Sequence, residues 1–319
     1  MELDMKVLIT GATGLLGSAL VPYLRDQGFH VTRLVRYHNE LSDDKILWNP
    51  NSGYSTTNHL EGFDIIINLA GENIASGRWT KEKKERIYNS RIQSTLFLSK
   101  ALSNLKNPPK IFLNASAMGY YGDRGDEILT ETSGPGTGFL AKVCKDWEES
   151  TQHLQKIGIR VVLLRFGMVL SKEGGALEKM KTPFKLGLGG ILGSGAQYMS
   201  WILIEELCRV VLFTIETDEI KGAINVATPN PVTNREFTKS LGAVLNRPTF
   251  MWVPAAIVKL IFGEMGIEML LSSIRMQPRK LLDAGFTFVY PHIKPALIRA
   301  LGLENVEEEN EEVKEEINF

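Results

Sequence analysis

Seven residues near the amino terminus, Gly11-Ala12-Thr13-Gly14-Leu15-Leu16-Gly17, constrain this chain more than any other segment. They lie between a short apolar run, Lys6 to Thr10 (KVLIT), and a helix-compatible stretch over residues 15–27. Three glycines at this spacing permit a tight turn, a close approach of backbone to an anion, and close packing of helix on strand. The backbone N–H groups of Leu15 and Leu16 then stand at the positive end of a helix, where a pyrophosphate is stabilised. A glycine turn without a ligand is the bland alternative. Here strand, loop and helix follow one another in the order that the anion site requires.

The rest of the first half repeats the strand–helix rhythm. Runs rich in Val, Ile and Leu recur at His30–Val35 and at residues 64–69, 110–114 and 159–165, with helix-compatible stretches over 81–105 and 139–156. Near-continuous apolar runs separated by helices predict a parallel sheet covered on both faces. The expected fold class is therefore α/β, a Rossmann-type doubly wound parallel sheet with helices on both faces, plus a smaller, mainly helical C-terminal substrate lobe. After about residue 170 the rhythm changes, and Gly187, Gly189, Gly190, Gly193 and Gly195 crowd a stretch unsuited to a regular helix or strand. A strand over 223–227 and a helix over 234–246 are read as returning to the first domain. The resulting plan is a dinucleotide-binding domain over 1–170, rejoined by 200–245, and a substrate lobe from 171–199 and 246–303. Proline-punctuated helices and a short segment over 286–290 supply the second part of that lobe. Residues 304–319 carry eight Glu and one Lys and read as a solvated tail.

Charge narrows the partners. The net charge of the 319 residues is −1, but without that tail it is +6. A mildly basic body suits an anionic nucleotide and falls short of a nucleic-acid surface. The two cysteines, Cys144 and Cys208, are too far apart in sequence for a CxxC motif, and His30, His38, His59, His153 and His292 are scattered, so no metal set stands out. No run reaches about 18 uncharged apolar residues, and the start, Met1-Glu2-Leu3-Asp4, is acidic. The expectation is a soluble cytoplasmic protein with a small-molecule substrate and neither nucleic-acid nor membrane partner.

The second strand bears on which dinucleotide is preferred. An acid about 20 residues past the glycine loop bonds a ribose 2′-hydroxyl, whereas a guanidinium suits a 2′-phosphate. Here Arg36 stands nineteen positions after Gly17, with no acid between Arg33 and Glu40. NADP(H) is therefore expected over NAD(H), with two solvated arginines as the plainer reading.

At this point the sequence resembles the extended short-chain dehydrogenase/reductases of the epimerase/dehydratase type. More narrowly, it resembles their atypical "epimerase family protein" subgroup with a C-terminal domain of unknown function. The residues that carry the likeness include Gly11 to Gly17, Asn68-Leu69-Ala70-Gly71-Glu72-Asn73-Ile74, Arg78-Trp79, Ser90-Arg91 and Gly119-Tyr120-Tyr121-Gly122-Asp123. Pro183 to Gly190, Gly193-Ser194-Gly195, Trp201-Ile202 and Pro278-Arg279-Lys280-Leu281-Leu282 extend it. The resemblance implies that Gly11, Thr13, Gly14, Leu15, Leu16 and Gly17 form the pyrophosphate loop and that Arg36 meets the 2′-phosphate. It implies also that Leu69, Ala70 and Gly71 line the adenosine side and that Arg91 reaches the cofactor.

The superfamily's chemistry uses a Ser or Thr with a Tyr-x-x-x-Lys pair, in which Tyr moves the proton and Lys lowers its pKa. Ser116 fits the first place, but Phe139 and Val143 occupy the slots expected of Tyr and Lys, and Lys142 and Lys145 are out of register. Tyr120, Tyr121 and Glu72 are the substitute acid/base candidates. Each has a structural alternative: a core-edge tyrosine, or for Glu72 a cap or a pairing with Arg78. Where the subgroup often has Trp-Ile-His, this chain has Trp201-Ile202-Leu203. Gln197, Ser200 and Trp201 are expected to line a pocket or the core. Two readings remain: an NADP(H)-dependent oxidoreductase or epimerase-like enzyme on an unknown small molecule, or a catalytically inactive NADP(H)-binding sensor acting through a protein partner. A non-redox lyase or isomerase is a third and weaker reading.

Overall fold

A computed structural model describes residues 5–35, 44–48 and 57–303 of the chain. Seven parallel strands form its central sheet: β1 (Lys6–Thr10), β2 (His30–Val35), β3 (Lys45–Leu47), β4 (Ile65–Asn68), β5 (Ile111–Ala117), β6 (Arg160–Phe166) and β7 (Gly222–Val226). Their order across the sheet is β7-β6-β5-β4-β1-β2-β3, so the chain reverses direction of travel at β1 and β4. In such sheets the crevice at the carboxyl ends of those two strands is where ligands bind.

Alternation along the strands assigns the two faces. Val7, Ile9, Ile65, Ile67, Leu113, Val162 and Leu164 pack with Leu20 and Leu24 of α1 (Leu15–Asp26). Helix α2 (Lys81–Ser103) instead sends Leu98 and Leu102 toward Leu8, Ile66, Phe112, Val161 and Leu163. Both sets are inaccessible to water or nearly so. Each wholly buried side chain of this size contributes roughly 1.5–3 kcal/mol. The helical stretch expected over 139–156 is two helices, α3 (Phe139–Glu149) and α4 (Gln152–Lys156). Ser150 and Thr151 divide them, their hydroxyls donating back to the carbonyls of Trp147 and Glu148.

Helix α5 (Gly175–Lys185) leads to the glycine-rich stretch, which is not wholly irregular. Gly190–Leu192 pairs in parallel with Met251–Val253, and a Cβ on Gly190 would lie 2.6 Å from the Met251 carbonyl oxygen. That contact, a packing requirement and not a turn, explains one of the glycines. Helix α6 (Ile204–Glu216) contributes Leu207, Val211 and Ile215 to the same cluster as α1. Phe286 and Phe288, read from sequence as part of a separate lobe, join that cluster too, stacked edge-on at 4.8 Å. Helix α7 (Asn234–Val244) begins with a capping box between Thr233 and Glu236 and packs near Ile293–Leu301.

Candidate active site

A buried polar seam ties the carboxyl ends of β1, β4 and β5. Thr10 Oγ1 donates to Asn68 Oδ1 at 2.7 Å, and Asn68 Nδ2 donates to Asn114 Oδ1 at 2.7 Å and Thr95 Oγ1 at 2.9 Å. The Trp147 indole N–H donates to Thr95 Oγ1, and the N–H groups of Leu69 and Ala70 donate to Thr10 Oγ1. An unmet buried polar group costs about 1–3 kcal/mol, so this fully engaged set holds the sheet edge in one arrangement.

The glycine loop rests on that edge. Gly11 has φ +68°, and a Cβ there would lie 2.8 Å from the carbonyl carbon and oxygen of Leu69. At Gly17 a Cβ would lie 2.5 Å from Ala12 Cα, which is the close helix-to-loop approach expected of the third glycine. Gly14 precedes α1 with no side-chain cap bond, and the first turn of α1 holds no acid. The first N–H groups of α1, those of Leu15 and Leu16 included, are thus left for an external anion. Thr13 is exposed beside them.

Arg91 on α2 reaches the same place. A Cβ on Gly71 would lie 3.0 Å from its guanidinium carbon, and the guanidinium sits 5.1 Å from the Trp147 ring centroid. One donor meets the carbonyl of Ile87 in its own helix, and no carboxylate among the described residues lies within ion-pair distance. Burial lowers its pKa, with the more distant Cys144 and Glu72 opposing. A half-hidden guanidinium with donors to spare beside Gly71 is what a phosphate or ribose ligand needs. Arg36 lies outside the described residues. Arg33, its neighbour on β2, is engaged with Asp44 at 2.6 Å.

The four acid/base candidates separate clearly. Ser116 is 2% exposed, and its hydroxyl donates to Glu148 Oε1 at 2.7 Å. Glu148 of α3 is held in turn by a two-pronged bond from Arg165 of β6, both contacts being 2.8 Å. Arg165 Nη1 donates to the hydroxyl of Tyr121, which lies 2.7 Å from Asn225 Oδ1. Burial pushes the Tyr121 phenol up to about 12, against the opposing pull of Arg165. Burial alone would lower the Arg165 pKa, but Glu148 outweighs it and holds the guanidinium charged. Ser116 and Tyr121 are therefore committed inside a network that the sequence reading missed. Its members Glu148 and Arg165 are 17 residues apart, a separation that no local pattern announces.

Tyr120 and Glu72 are more open. The half-buried Tyr120 ring lies 3.5 Å from the Arg165 guanidinium carbon. Burial raises its pKa while the Arg165 charge works in the other direction. Glu72 pairs with the buried Lys83 at 2.7 Å and not with Arg78, which donates instead to the Leu260 carbonyl. It borders a groove of about 900 Å³ that runs along α2 past Arg86, Asn89 and Gln93.

Phe139, at the start of α3, stacks edge-on against Trp79 at 5.2 Å with Lys84 over its ring, and Val143 is buried. Lys142 turns to Asp146 and Lys145 toward Glu149. Gln197, Ser200 and Trp201 are core residues: their side chains donate to the carbonyls of Leu192 and Leu270, of Ile274, and of Asn230 respectively. Asp123 serves turn chemistry, accepting from Gly125 N and from Ser273 N.

Known proteins share this architecture. Residues 7–227 match the model of the NAD dependent epimerase/dehydratase family, and residues 253–300 match DUF1731, a domain of unknown function. Epimerase family protein Mb2239 of Mycobacterium bovis is 43% identical over 291 residues, 91% of this chain and 96% of that one. The Staphylococcus haemolyticus protein SH2119, also named an epimerase family protein, is 40% identical over 91% of this chain and 97% of its own. Among solved structures, human epimerase family protein SDR39U1 with NADPH superposes with a TM-score of 0.85 at 32% identity, covering 93% of this chain and 99% of that one. A Bacillus cereus UDP-glucuronic acid 4-epimerase with NAD shares the fold at 17% identity, with a TM-score of 0.74 over 94% of this chain and 98% of its own. With the match spanning more than two thirds of its length and the sheet, glycine loop and C-terminal segment all in place, the chain belongs to the NAD dependent epimerase/dehydratase family, with a DUF1731 domain at its carboxyl end.

Proposed function

We propose that the protein binds NADP(H) across the carboxyl edge of the sheet and acts as an oxidoreductase or epimerase-like enzyme on a small molecule. The observation that carries this reading is the convergence of an uncapped helix end with Arg91, a guanidinium that has no carboxylate partner among the described residues. The backbone of Gly11, Thr13, Gly14, Leu15 and Leu16 holds the pyrophosphate, and Leu69, Ala70 and Gly71 flank the adenosine side. Arg91 supplies donors at Gly71, and Arg36 supplies the preference for a 2′-phosphate. The NADPH of the human neighbour supports the choice of dinucleotide. When bound, the nicotinamide supplies or accepts a hydride.

Tyr120 is the best-placed proton carrier on this reading. Phe139 has no proton to move, and the hydroxyls of Ser116 and Tyr121 are already bonded inside the protein. The Arg165 cation, 3.5 Å from the phenol ring, pulls toward the phenolate, but burial and the Glu148 carboxylate outweigh it and hold the pKa of Tyr120 above the ordinary value, so the side chain stands as a protonated donor. Ser116, Glu148 and Tyr121 keep Arg165 in position for it. The second reading, a binding protein without turnover, is favoured by the Phe139–Trp79 contact at the place of the usual catalytic tyrosine.

Thermal unfolding with each dinucleotide tests the binding half: NADPH is expected to raise Tm more than NADH, and Arg36→Glu to erase the difference. Equal shifts from both dinucleotides would remove the 2′-phosphate assignment. Loss of reduced-nicotinamide absorbance against a panel of carbonyl compounds tests the chemistry. Turnover that Tyr120→Phe abolishes supports the enzyme, whereas saturable binding with no turnover across the panel favours the sensor.

A further inference from the structure

Helix α8 (Ala255–Phe262, AAIVKLIF) has one polar residue, Lys259, and one buried residue, Val258. A helix apolar on every side is ordinarily buried. Here Leu260 is 75% exposed and Ile261 54%. The approach to the helix continues the pattern, with Phe250 79% exposed and Trp252 64%. Leu186 and Leu188, also exposed, lie alongside. Three contacts fix this neighbourhood: Arg247 Nε donates to the Lys185 carbonyl at 3.0 Å, Met251–Val253 pairs with Gly190–Leu192, and the Trp252 indole donates to the Gly193 carbonyl at 2.7 Å. Soluble proteins rarely leave so many large apolar side chains together in water unless something covers them.

The charges around this face indicate what covers it. Lys185, Arg247 and Lys259 are exposed among the apolar residues, and none has a carboxylate partner among the described residues. The nearby acids are already engaged: Glu264, partly exposed, pairs with Lys84, and Glu268 accepts from the N–H groups of Phe139 and Leu140. The face is thus apolar and uncompensated positive. Cores of protein interfaces are depleted in lysine, whereas aromatic and aliphatic side chains fringed by Lys and Arg suit the boundary of an anionic bilayer. No helix among the described residues is long and apolar enough to cross a membrane, so the contact is one of lying on the surface.

We propose that this face, built from Leu186, Leu188, Phe250, Trp252, Leu260 and Ile261, docks on an anionic lipid surface. Lys185, Arg247 and Lys259 meet the headgroup phosphates, and Phe250, Trp252 and Leu260 enter the acyl boundary. The proposal is independent of the dinucleotide site and reverses the expectation, drawn from composition, of no membrane partner.

The test is co-sedimentation of the full chain with vesicles of phosphatidylglycerol mixed into phosphatidylcholine, against phosphatidylcholine alone. Binding to the anionic vesicles is expected, weakened by salt and at least about tenfold weaker on neutral ones. Lys185→Glu/Lys259→Glu and, separately, Phe250→Ser/Leu260→Ser should each reduce it at least about tenfold while leaving the NADPH-induced Tm shift unchanged. Absence of vesicle binding overturns the proposal, as does binding that neither pair of substitutions affects. A dimer in sedimentation velocity that Leu260→Ser dissolves, without vesicle binding, assigns the face to a second copy of the chain and overturns it equally.

Discussion

Arg165 is the residue on which most of the interior chemistry near the candidate site depends. It is 3% exposed and bonds a carboxylate, a phenol and a tyrosine face at once. Removing one member of a buried ion pair leaves the other charged and unpaired, which costs about 3–5 kcal/mol. Arg165→Met is expected to destabilise the protein by that amount in urea unfolding, and Arg165→Met/Glu148→Met to recover most of it. If the double variant is as unstable as the single one, the carboxylate is not the source of the loss. Sequence could not foresee this arrangement, because Ser116 and Glu148 are 32 positions apart and meet only when α3 packs on β5. The glycine loop is the opposite case. Its requirements at Gly11 and Gly17 are set by neighbours a few residues away or by the next strand over, and so they were legible in spacing alone.

Elements show the same division between local and distant causes. The parallel strands were legible because a strand buried on both faces must be apolar throughout, and residues 65–68 (IIIN) and 111–113 (IFL) leave no other reading once helices flank them. The short pairing of Gly190–Leu192 with Met251–Val253 was hidden because its partner lies some 60 residues on, and glycine disguises a strand as a turn. Helix α3 shows how far a distant residue can complete an element. Its N-terminal position is Gly138, which offers no side-chain cap, and Glu268 supplies the missing carboxylate with bonds of 2.7 Å to both Phe139 N and Leu140 N. A carboxylate there satisfies two orphan donors and opposes the helix dipole. Glu268→Ala is expected to cost about 1–2 kcal/mol and to speed hydrogen exchange at Phe139 and Leu140 before the rest of α3. Unchanged exchange at those two amides would show that the cap does not hold the helix end.

Across the whole molecule, the sequence conveyed the layered sheet but not how the carboxyl-terminal segments attach to it. Phe286 and Phe288 pack with the α1 and α6 cluster, and Glu131 accepts from both Asn225 N and Lys280 N, joining β7 to residues near the C terminus. The packed interior also buries ionisable groups whose proton affinity then depends on the fold. Burial raises Cys144 and Cys208 from 9.0 to about 12, and Tyr121 from 10.0 to about 12. All three hold their protons more tightly folded than unfolded. The stability they lend is therefore fully present below the unfolded values and is lost as pH rises through the folded ones. A one-unit shift corresponds to about 1.4 kcal/mol, so Tyr121 alone accounts for roughly 3 kcal/mol once pH passes its folded value. Tm followed by circular dichroism is expected to be insensitive to these groups up to about pH 9 and to fall steadily above it. Cys144→Ala/Cys208→Ala should delay that fall toward the range where Tyr121 ionises. A decline equally steep in the double variant would mean that the thiols ionise over the same pH range folded as unfolded, and that the buried cysteines contribute nothing to the alkaline limit of the fold.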